Sequence, residues 1–278
     1  MDPVHYDYLA SFLLGSSGLS LGANKEYLLE SRLIPLAQSM GWNGIPELIA
    51  QLRKGGDKNL EDAVIEAMTT NETSFFRDKK PFEVMISNIF PALIKARALR
   101  RTIRIWCAAG STGQEPYSIA MTILENFPEL RNWHIEMLIT DISQQALGRA
   151  KNGVYSQFEI QRGLPVKLLM KYFEQDSSGW KIKEDLKKGM RWERFNLLDE
   201  YNRFGVFDLI MCRNVLIYFE NATKGNILDR MSKQLASDGY LMLGAAETIL
   251  GITESYQKIP GWESGVYEPA SSKIGAAR

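Results

Sequence analysis

The sequence predicts an α/β protein in which a doubly wound, mostly parallel sheet follows an all-helical region. Two observations lead to this fold class. After residue 101, short apolar runs bounded by turn residues alternate with segments of helical periodicity, whereas residues 1–70 show helical spacing and no strand-like alternation. The chain has 278 residues, of which 45% are hydrophobic, so it can bury a substantial core.

Residues 1–70 are expected to form a small helical domain. Breaks at GSSGLSLGAN, GWNG and KGGDKN separate apolar residues that recur at helical intervals. This domain contains five basic and nine acidic residues, so it would bind DNA poorly. The balance reverses over residues 71–104, with eight basic and three acidic residues, and residues 71–100 are interpreted as a basic linker. Either a solvated helix or a surface that meets an acidic partner would explain this charge.

Four apolar runs after residue 101 lack polar alternation and therefore predict buried parallel strands. They are TIRIWCAAG (102–110), IEMLITD (135–141), FDLIMCRN (207–214) and GYLMLGAAE (239–247). The segment 172–198 interrupts the alternation with apolar residues around short turns, which predicts an inserted antiparallel β-subdomain at about 172–194. The domain with the large sheet is expected to span residues 101–270, and residues 271–278 are expected to be a disordered tail.

Charge and composition argue against several classes of protein. The 33 basic and 33 acidic residues cancel, so we expect no nucleic-acid partner. No window contains the roughly 20 apolar residues that a membrane span requires, and the N-terminus lacks the pattern of a secretion signal. We therefore expect a cytoplasmic monomer without membrane insertion. Cys107 and Cys212 lie in apolar runs and are predicted to be buried thiols.

Residues that follow the predicted parallel strands are the candidates for a ligand site, because such sheets bind ligands at the carboxyl ends of their strands. The first run ends in AAGSTGQEPYS, where Gly110 and Gly113 would let the backbone approach a ligand or simply allow tight packing. The second run ends at Asp141, whose carboxylate could accept both hydroxyls of a ribose. Capping of the next helix by Asp141 or Ser143 is the alternative.

Two features argue against a dinucleotide enzyme. The turn has the spacing G-x-x-G rather than G-x-G-x-x-G, and Glu115 places a negative charge where a pyrophosphate would approach a helix N-terminus. A nucleoside ligand that lacks phosphate and carries positive charge fits better. S-adenosylmethionine has a ribose for Asp141 and cationic sulfonium and ammonium groups that tolerate Glu115, and we expect it to bind without a metal.

The stretches NETSFFRD, IWCAAGSTGQEPYSIAM, TDIS, NLL and FDLIMCRNVLIYF resemble, in order, the motifs of the CheR-type chemotaxis receptor glutamate O-methyltransferases. The resemblance covers nearly the whole chain. It implies a Rossmann-like S-adenosylmethionine-dependent methyltransferase that modifies glutamate side chains on the cytoplasmic helices of chemoreceptors. It assigns nine residues to the cofactor site, which would begin in the linker: Asn71, Thr73, Arg77, Glu115, Asp141, Asn196, Leu197, Arg213 and Asn214.

The implied chemistry requires positioning rather than proton transfer, because a glutamate carboxylate is already ionised at neutral pH. Arg77 and Tyr218 are the predicted catalytic residues, which would steer that carboxylate toward the methyl group. A core position with a satisfied hydroxyl is the alternative for Tyr218. Phe75 and Phe76 are expected to pack the domain junction and form a wall of the pocket.

The chain departs from the family at two surfaces. Many relatives carry several arginines on an N-terminal helix that is thought to face the receptor, whereas ESRLIPLAQSM retains only Arg32. The turn EQDSSG is shorter than the Gly-rich loop of relatives that capture a C-terminal receptor peptide, so we expect independence from such a pentapeptide tether. The chain lacks the N-P-P-[FY]-type segment of nucleic-acid N-methyltransferases. A catalytically silent sensor would share the fold and the cofactor site, but the presence of both Arg77 and Tyr218 argues against it.

Overall fold

A computed structural model describes residues 1–22, 24–262 and 265–270, except for the side chain of Asp176. The tail that was expected to be disordered, residues 271–278, lies outside the described residues. The chain divides into two compact units. The first unit contains Met1–Thr70 and Tyr218–Thr223, and the second contains Asn71–Ile217 and the chain from Lys224 onward.

The first unit is built mainly from four helices: α1 (Pro3–Ser17), α2 (Glu26–Ser39), α3 (Ile45–Leu52) and α4 (Lys58–Met68). Local capping sets two of their starts, because Asp2 accepts a hydrogen bond from the Val4 N–H and Asp57 accepts one from the Leu60 N–H. The helices share one apolar core, which includes Leu9, Leu13, Leu29, Leu33, Leu48 and Val64. This arrangement confirms the predicted all-helical N-terminal region.

Arg32 has a structural role inside the first unit. Its Nη1 donates to the carbonyl oxygens of Met68 at 2.7 Å and Thr69 at 2.8 Å, and its Nη2 donates to Thr70 Oγ1 at 3.0 Å. The end of a helix leaves carbonyl groups without intrahelical partners, and Arg32 satisfies those of α4 from the neighbouring helix α2. These bonds explain the arginine without reference to a receptor.

The described residues of the second unit form ten strands: β1 (Thr102–Ala108), β2 (His134–Asp141), β3 (Val154–Tyr155), β4 (Phe173–Asp176), β5 (Gly179–Ile182), β6 (Met190–Arg194), β7 (Phe207–Cys212), β8 (Leu235–Leu243), β9 (Tyr256–Lys258) and β10 (Val266–Pro269). Seven of them form one sheet in the order β6-β2-β1-β7-β8-β10-β9. The first five strands of that order pair in parallel, whereas β10 is antiparallel to both β8 and β9. The doubly wound, mostly parallel sheet is therefore confirmed.

Helices flank and connect these strands: α5 (Lys80–Val84), α6 (Phe90–Arg97), α7 (Gln114–Asn126), α8 (Gln144–Asn152), α9 (Gln157–Gln161), α10 (Val166–Tyr172) and α11 (Asn221–Ser232), with a π-helical turn at Met85–Ile89. None of the helices in the described part of the chain is long and apolar enough to span a membrane. Cys107 and Cys212 are buried and unpaired in β1 and β7, and burial raises the pKa of both thiols well above the usual value.

The small antiparallel sheet has the order β3-β5-β4 and confirms the predicted β-subdomain as a feature of the fold. Its composition differs from the expected segment at about 172–194. Met190–Arg194 pairs in parallel with β2 at the edge of the large sheet, and Val154–Tyr155 supplies the third strand of the small sheet. Strand β6 has only five residues, and its hydrophobic pattern would fit either sheet. Which sheet it joins therefore depends on tertiary packing.

The adjacent rings of NETSFFRD pack within the second unit, which corrects the expectation that they pack a domain junction. Phe75 is fully buried, and its ring centroid lies 5.0 Å from that of Tyr155 and 5.7 Å from that of Phe173. The Phe76 ring lies 5.0 Å from that of Phe82. Edge-to-face contacts of this kind anchor the segment 71–78 to the unit that carries the sheet.

A buried ion-pair network ties α6 to the sheet. The Arg97 Nε donates to Asp208 Oδ1 at 2.8 Å, and its Nη1 donates to Asp238 Oδ2 at 2.6 Å. The second Asp208 oxygen accepts the Arg104 N–H at 2.8 Å, so this carboxylate also joins β7 to β1. The Arg97 guanidinium lowers the pKa of Asp238 through their hydrogen bond.

We expect Asp208→Ala to lower the free energy of unfolding by about 3–5 kcal/mol, because it leaves the Arg97 charge buried without this partner. Asp238→Ala removes a carboxylate that is 53% exposed, so it should cost about 1 kcal/mol or less. Urea denaturation followed by circular dichroism measures both values. Equal losses in the two variants would contradict the assignment of Asp208 as the central partner.

Candidate functional site

The candidate site lies at the carboxyl ends of the parallel strands, where four loops begin. They follow β1 (residues 109–113), β2 (142–143), β7 (213–216) and β8 (244–247). Because the strands are parallel neighbours, these ends share one edge of the sheet. The segment 71–78 reaches the same edge through the contacts described below.

Asp141 connects the loops after β1 and β2. The residue is 6% exposed, and its carboxylate accepts hydrogen bonds from the Ser111 N–H at 2.8 Å and the Ser143 N–H at 2.9 Å. Ser143 is the N-cap of α8, because its Oγ accepts the Ala146 N–H at 2.9 Å. The structure therefore assigns helix capping to Ser143 and loop organisation to Asp141. Since each carboxylate oxygen can accept more than one hydrogen bond, this role is compatible with a ribose contact.

The two glycines of the first loop are required by packing. A Cβ atom on Gly110 would lie 2.3 Å from Ile139 Cγ2. Gly113 has a φ of +97°, and its Cβ atom would lie 2.9 Å from the Tyr155 hydroxyl. Tight packing, the alternative interpretation of this turn, thus accounts for both positions. The close approach has a functional consequence, because it places the Ser111 N–H beside Asp141.

Arg213 joins the predicted site residue Glu115 to the segment 71–78. Its side chain is 1% exposed, and it donates from Nη1 to Glu115 Oε2 at 2.7 Å and from Nη2 to Asp78 Oδ2 at 2.6 Å. Its Nε has no hydrogen-bond partner among the described residues. Two carboxylates face one guanidinium, so the cluster retains a net negative charge that favours a cationic ligand.

Asp78 is a member of this cluster that sequence reasoning missed. The residue is the last of the stretch NETSFFRD, in which only Asn71, Thr73 and Arg77 were predicted to belong to the cofactor site. Asp78 could have been identified as a candidate site residue from the sequence, because it is a carboxylate at the end of a motif that also contains an arginine. Its partner, Arg213, lies 135 residues away, so the pairing itself could not be inferred from spacing.

Asn71 lies beside the loops after β1 and β2 that Asp141 connects. Asn71 and Asp141 were predicted to belong to the same site, but no contact between these segments was predicted from the sequence. The Asn71 carbonyl oxygen accepts the Ser111 hydroxyl at 2.8 Å, and the Asn71 Nδ2 donates to Ser143 Oγ at 3.3 Å. Arg77 is half-buried and donates from Nη1 to the Glu72 carbonyl oxygen at 3.2 Å. Thr73 is half-buried on the same segment. The structure thus brings Asn71 to Asp141 and leaves the predicted ligand contacts of Thr73 and Arg77 as predictions.

Asn196 and Leu197 follow β6, whose last residue pairs with Asp141 at the end of β2. The Phe195 N–H donates to the Asp141 carbonyl oxygen at 2.9 Å, which places the following loop at this edge of the sheet. Arg230 of α11 then fixes the loop, because its guanidinium donates to the carbonyl oxygens of Leu197, Leu198 and Asp199 at 2.6–2.9 Å. An apolar residue beside an amide, held rigidly, suits an adenine ring.

Glu247 is a second residue that sequence reasoning missed. Its buried carboxylate accepts four backbone N–H groups, from Asn214 at 2.8 Å, Val215 at 2.9 Å, Leu216 at 2.7 Å and Gly244 at 2.7 Å. It therefore holds the loop after β7 against the loop after β8 and fixes the position of Asn214. The signal in the sequence was small: a single acid in GAAET, just after a predicted strand.

Strained backbone is concentrated in these segments. Of the eight described non-glycine residues with positive φ, five lie in them, namely Phe76, Asp78, Ala109, Ser111 and Asn214, and Lys79 directly follows the segment 71–78. Each such conformation costs of the order of 1–3 kcal/mol and persists only where neighbouring contacts enforce it. The enforcing contacts are those of Asp141, Arg213 and Glu247. This concentration is typical of binding and catalytic sites.

Tyr218 belongs by its contacts to the first unit, whereas Arg77 belongs to the second. Its carbonyl oxygen accepts the Ser20 N–H at 2.9 Å, and the ring is half-buried. Within the described part of the chain, its hydroxyl forms no hydrogen bond, which disfavours the alternative of a core tyrosine with a satisfied hydroxyl. Among the described residues, no group of three or more His, Cys, Asp or Glu side chains is placed to bind a metal ion.

Family models match both parts of the chain. Residues 71–264 match the SAM-binding domain of the CheR methyltransferases, and residues 5–69 match the all-alpha domain of the same family. The matched residues include the nine predicted cofactor-site positions and the helical core of the first unit.

Curated relatives agree with these models. The chain is 39% identical to the chemotaxis protein methyltransferase Cher2 of Pseudomonas putida, with 91% of this chain and 94% of that protein covered. It is 40% identical to chemotaxis protein methyltransferase 1 of Pseudomonas aeruginosa, with coverage of 91% and 93%. It is 37% identical to the chemotaxis protein methyltransferase of Borreliella burgdorferi, with coverage of 87% of each chain. The chain therefore belongs to the CheR methyltransferase family and is an S-adenosylmethionine-dependent methyltransferase.

Proposed function

We propose that this enzyme transfers the methyl group of S-adenosylmethionine to glutamate side chains on the cytoplasmic helices of chemoreceptors and thereby serves sensory adaptation. The relatives' names support a role in chemotaxis. The observation that carries the proposal is the cluster in which the buried Arg213 contacts Glu115 and the more exposed Asp78, because its net negative charge suits the cationic cofactor. We further propose that the protein acts as a cytoplasmic monomer.

The nine predicted residues would contact different parts of the cofactor. Asp141 would accept the ribose hydroxyls, and Asn196 and Leu197 would contact the adenine. Glu115, with Asp78 as its neighbour across Arg213, would balance the positive charges, and Asn71 and Asn214 would supply polar atoms from rigid loops. When bound, S-adenosylmethionine supplies an electrophilic methyl group on its sulfonium sulfur. All of these residue roles are proposals.

The protein's own contribution to the reaction is to orient an anion and exclude water. The substrate carboxylate is ionised at neutral pH and attacks as an anion, so no general base is needed. Arg77 uses one nitrogen for the Glu72 carbonyl oxygen, and its other N–H groups could orient the carboxylate. The Tyr218 hydroxyl would be the second donor. Good alignment of the reacting atoms can supply several kcal/mol of the rate acceleration.

Asp141→Ala should weaken binding of S-adenosylhomocysteine, the demethylated product, by about 10- to 150-fold, because a hydrogen bond to a charged group contributes about 1.5–3 kcal/mol. Asp141→Asn, which retains one acceptor oxygen, should show an intermediate loss. Isothermal titration calorimetry measures both affinities, with Asp185→Ala as the control because that carboxylate is exposed on a 3-10 helix. Unchanged affinity in a folded Asp141→Ala variant would remove Asp141 from the site.

Arg77→Ala and Tyr218→Phe should lower turnover more than they weaken cofactor binding, since each donor is proposed to steer the substrate carboxylate. The assay follows label from methyl-labelled cofactor into a receptor cytoplasmic fragment, as base-labile methyl ester. Loss of only the hydroxyl in Tyr218→Phe keeps the ring packing. If that variant methylates the fragment at the wild-type rate, the tyrosine is structural, and if the wild-type enzyme transfers no label, the proposed function is wrong.

The hairpin of the small sheet supports independence from a receptor tether. Strands β4 and β5 are joined by only two residues, Ser177 and Ser178, because Asp176 pairs with Gly179. The Gly179 φ of +136° and the 2.6 Å approach of its Cβ position to the Tyr155 carbonyl oxygen leave no space for a longer side chain there. A turn this compact offers little backbone with which to form a peptide groove.

A synthetic receptor C-terminal pentapeptide should therefore not bind at micromolar concentrations. Calorimetric titration of the wild-type protein provides the measurement. Micromolar binding that disappears when residues 174–184 are deleted would show that the hairpin is a tether site.

A further inference from the structure

Exposed apolar side chains are concentrated on α9 and α10. Seven described large apolar residues are more than 60% exposed, and three of them lie within thirteen residues: Phe158 at 68%, Val166 at 73% and Met170 at 67%. Val166 and Met170 are four residues apart on α10, so they share one face of the helix. The opposite side of α10 is buried, since Leu169 and Tyr172 pack in a core cluster with Phe75. A helix with an exposed apolar face of this kind is a candidate for an interaction surface.

The same surface is basic. Residues 158–173 contain Arg162, Lys167 and Lys171, and their one acidic residue, Glu159, pairs with Arg149. Lys171 pairs with Glu125, whereas Lys167 is exposed and makes no ion pair with the described residues. We define the α9–α10 surface as Phe158, Arg162, Val166, Lys167 and Met170. Its apolar centre and basic edge are complementary to an amphipathic helix that carries carboxylates beside its apolar face.

The α9–α10 surface is continuous with the proposed reaction site through direct contacts. Arg162 Nη2 donates to Glu72 Oε1 at 2.8 Å, and this hydrogen bond lowers the pKa of Glu72. The turn between the helices packs on the backbone of the segment 71–78, since a Cβ atom on Gly163 would lie 2.1 Å from the Phe75 carbonyl oxygen. The same segment carries Arg77, which donates to the Glu72 carbonyl oxygen. A partner bound to this surface is thus adjacent to the arginine proposed to steer the carboxylate.

We propose that the α9–α10 surface docks an acidic amphipathic helix of the methyl-accepting protein. The apolar side chains of that helix contact Phe158, Val166 and Met170, and its carboxylates lie toward Arg162 and Lys167. The identity of the partner rests on the proposed function. In this docking mode, the second unit, which contains the methyltransferase sheet, selects the glutamate-bearing helix.

The kinetic test exchanges exposed apolar side chains for carboxylates at matched positions. Met170→Glu and the double variant Val166→Glu with Met170→Glu should raise the KM for a receptor cytoplasmic fragment by about tenfold or more, with kcat and the affinity for S-adenosylhomocysteine unchanged. Leu250→Glu makes the same exchange at a site that is 83% exposed and outside the α9–α10 surface, and its KM should stay within twofold of wild type. A KM for Met170→Glu that is also within twofold of wild type overturns the proposal.

A cross-linking test separates docking from methyl transfer. Because both native cysteines are buried, Met170→Cys can be labelled selectively with a benzophenone maleimide. On illumination it should cross-link to a glutamate-bearing helix of the receptor fragment, and Leu250→Cys should not. A cross-link without methyl transfer by the wild-type enzyme refutes the proposed function and keeps the docking surface. Absence of the cross-link, or a cross-link only to a second copy of this chain, overturns the docking proposal.

Discussion

The site depends on one kind of interaction, a buried carboxylate that accepts backbone N–H groups from two loops at once. Asp141 does this for the loops after β1 and β2, and Glu247 does it for the loops after β7 and β8. Backbone N–H groups at strand ends have no ladder partner and must be satisfied when they are buried. Each carboxylate therefore fixes one pair of loops, and the hydrogen bond from Arg213 after β7 to Glu115 in α7 joins the two pairs.

The segment 71–78 is the second element on which the site depends. Phe75 and Phe76 bury its centre in the methyltransferase unit, and its polar residues then face the strand ends. Asn71 contacts the Asp141 loops, whereas Asp78 contacts Arg213 after β7. The pairing of two aromatic residues with polar neighbours thus has a physical reason, since the rings provide the anchoring energy and the polar groups provide the site. The turn at Gly163 packs on the same backbone and extends the surface outward to α9 and α10.

The electrostatics of the site agree with the chemistry of the family. Phosphate-binding sheets present an uncompensated helix N-terminus to an anion, whereas here Glu115 occupies the first turn of α7 and is held by Arg213. With Asp78 the cluster has an excess of negative charge, which suits a sulfonium cofactor and disfavours a phosphate. The transfer of a methyl group to a carboxylate requires no proton, and the absence of a general base from the proposed mechanism follows from that stoichiometry.

The sequence by itself determined the fold class, the four central strands and the positions of Glu115 and Asp141 at strand ends, because hydrophobic periodicity and the ends of apolar runs are local properties. Arg213 was predicted from the resemblance to the family's motif. Their roles toward the cofactor remain predictions. Only the tertiary structure decided which groups meet: Arg213 with Glu115 and Asp78, Glu247 with four backbone N–H groups, and Met190–Arg194 with the large sheet. Those partners are far apart in the chain, and a charge or a five-residue strand can find its partner only after the strands have set the register of the loops.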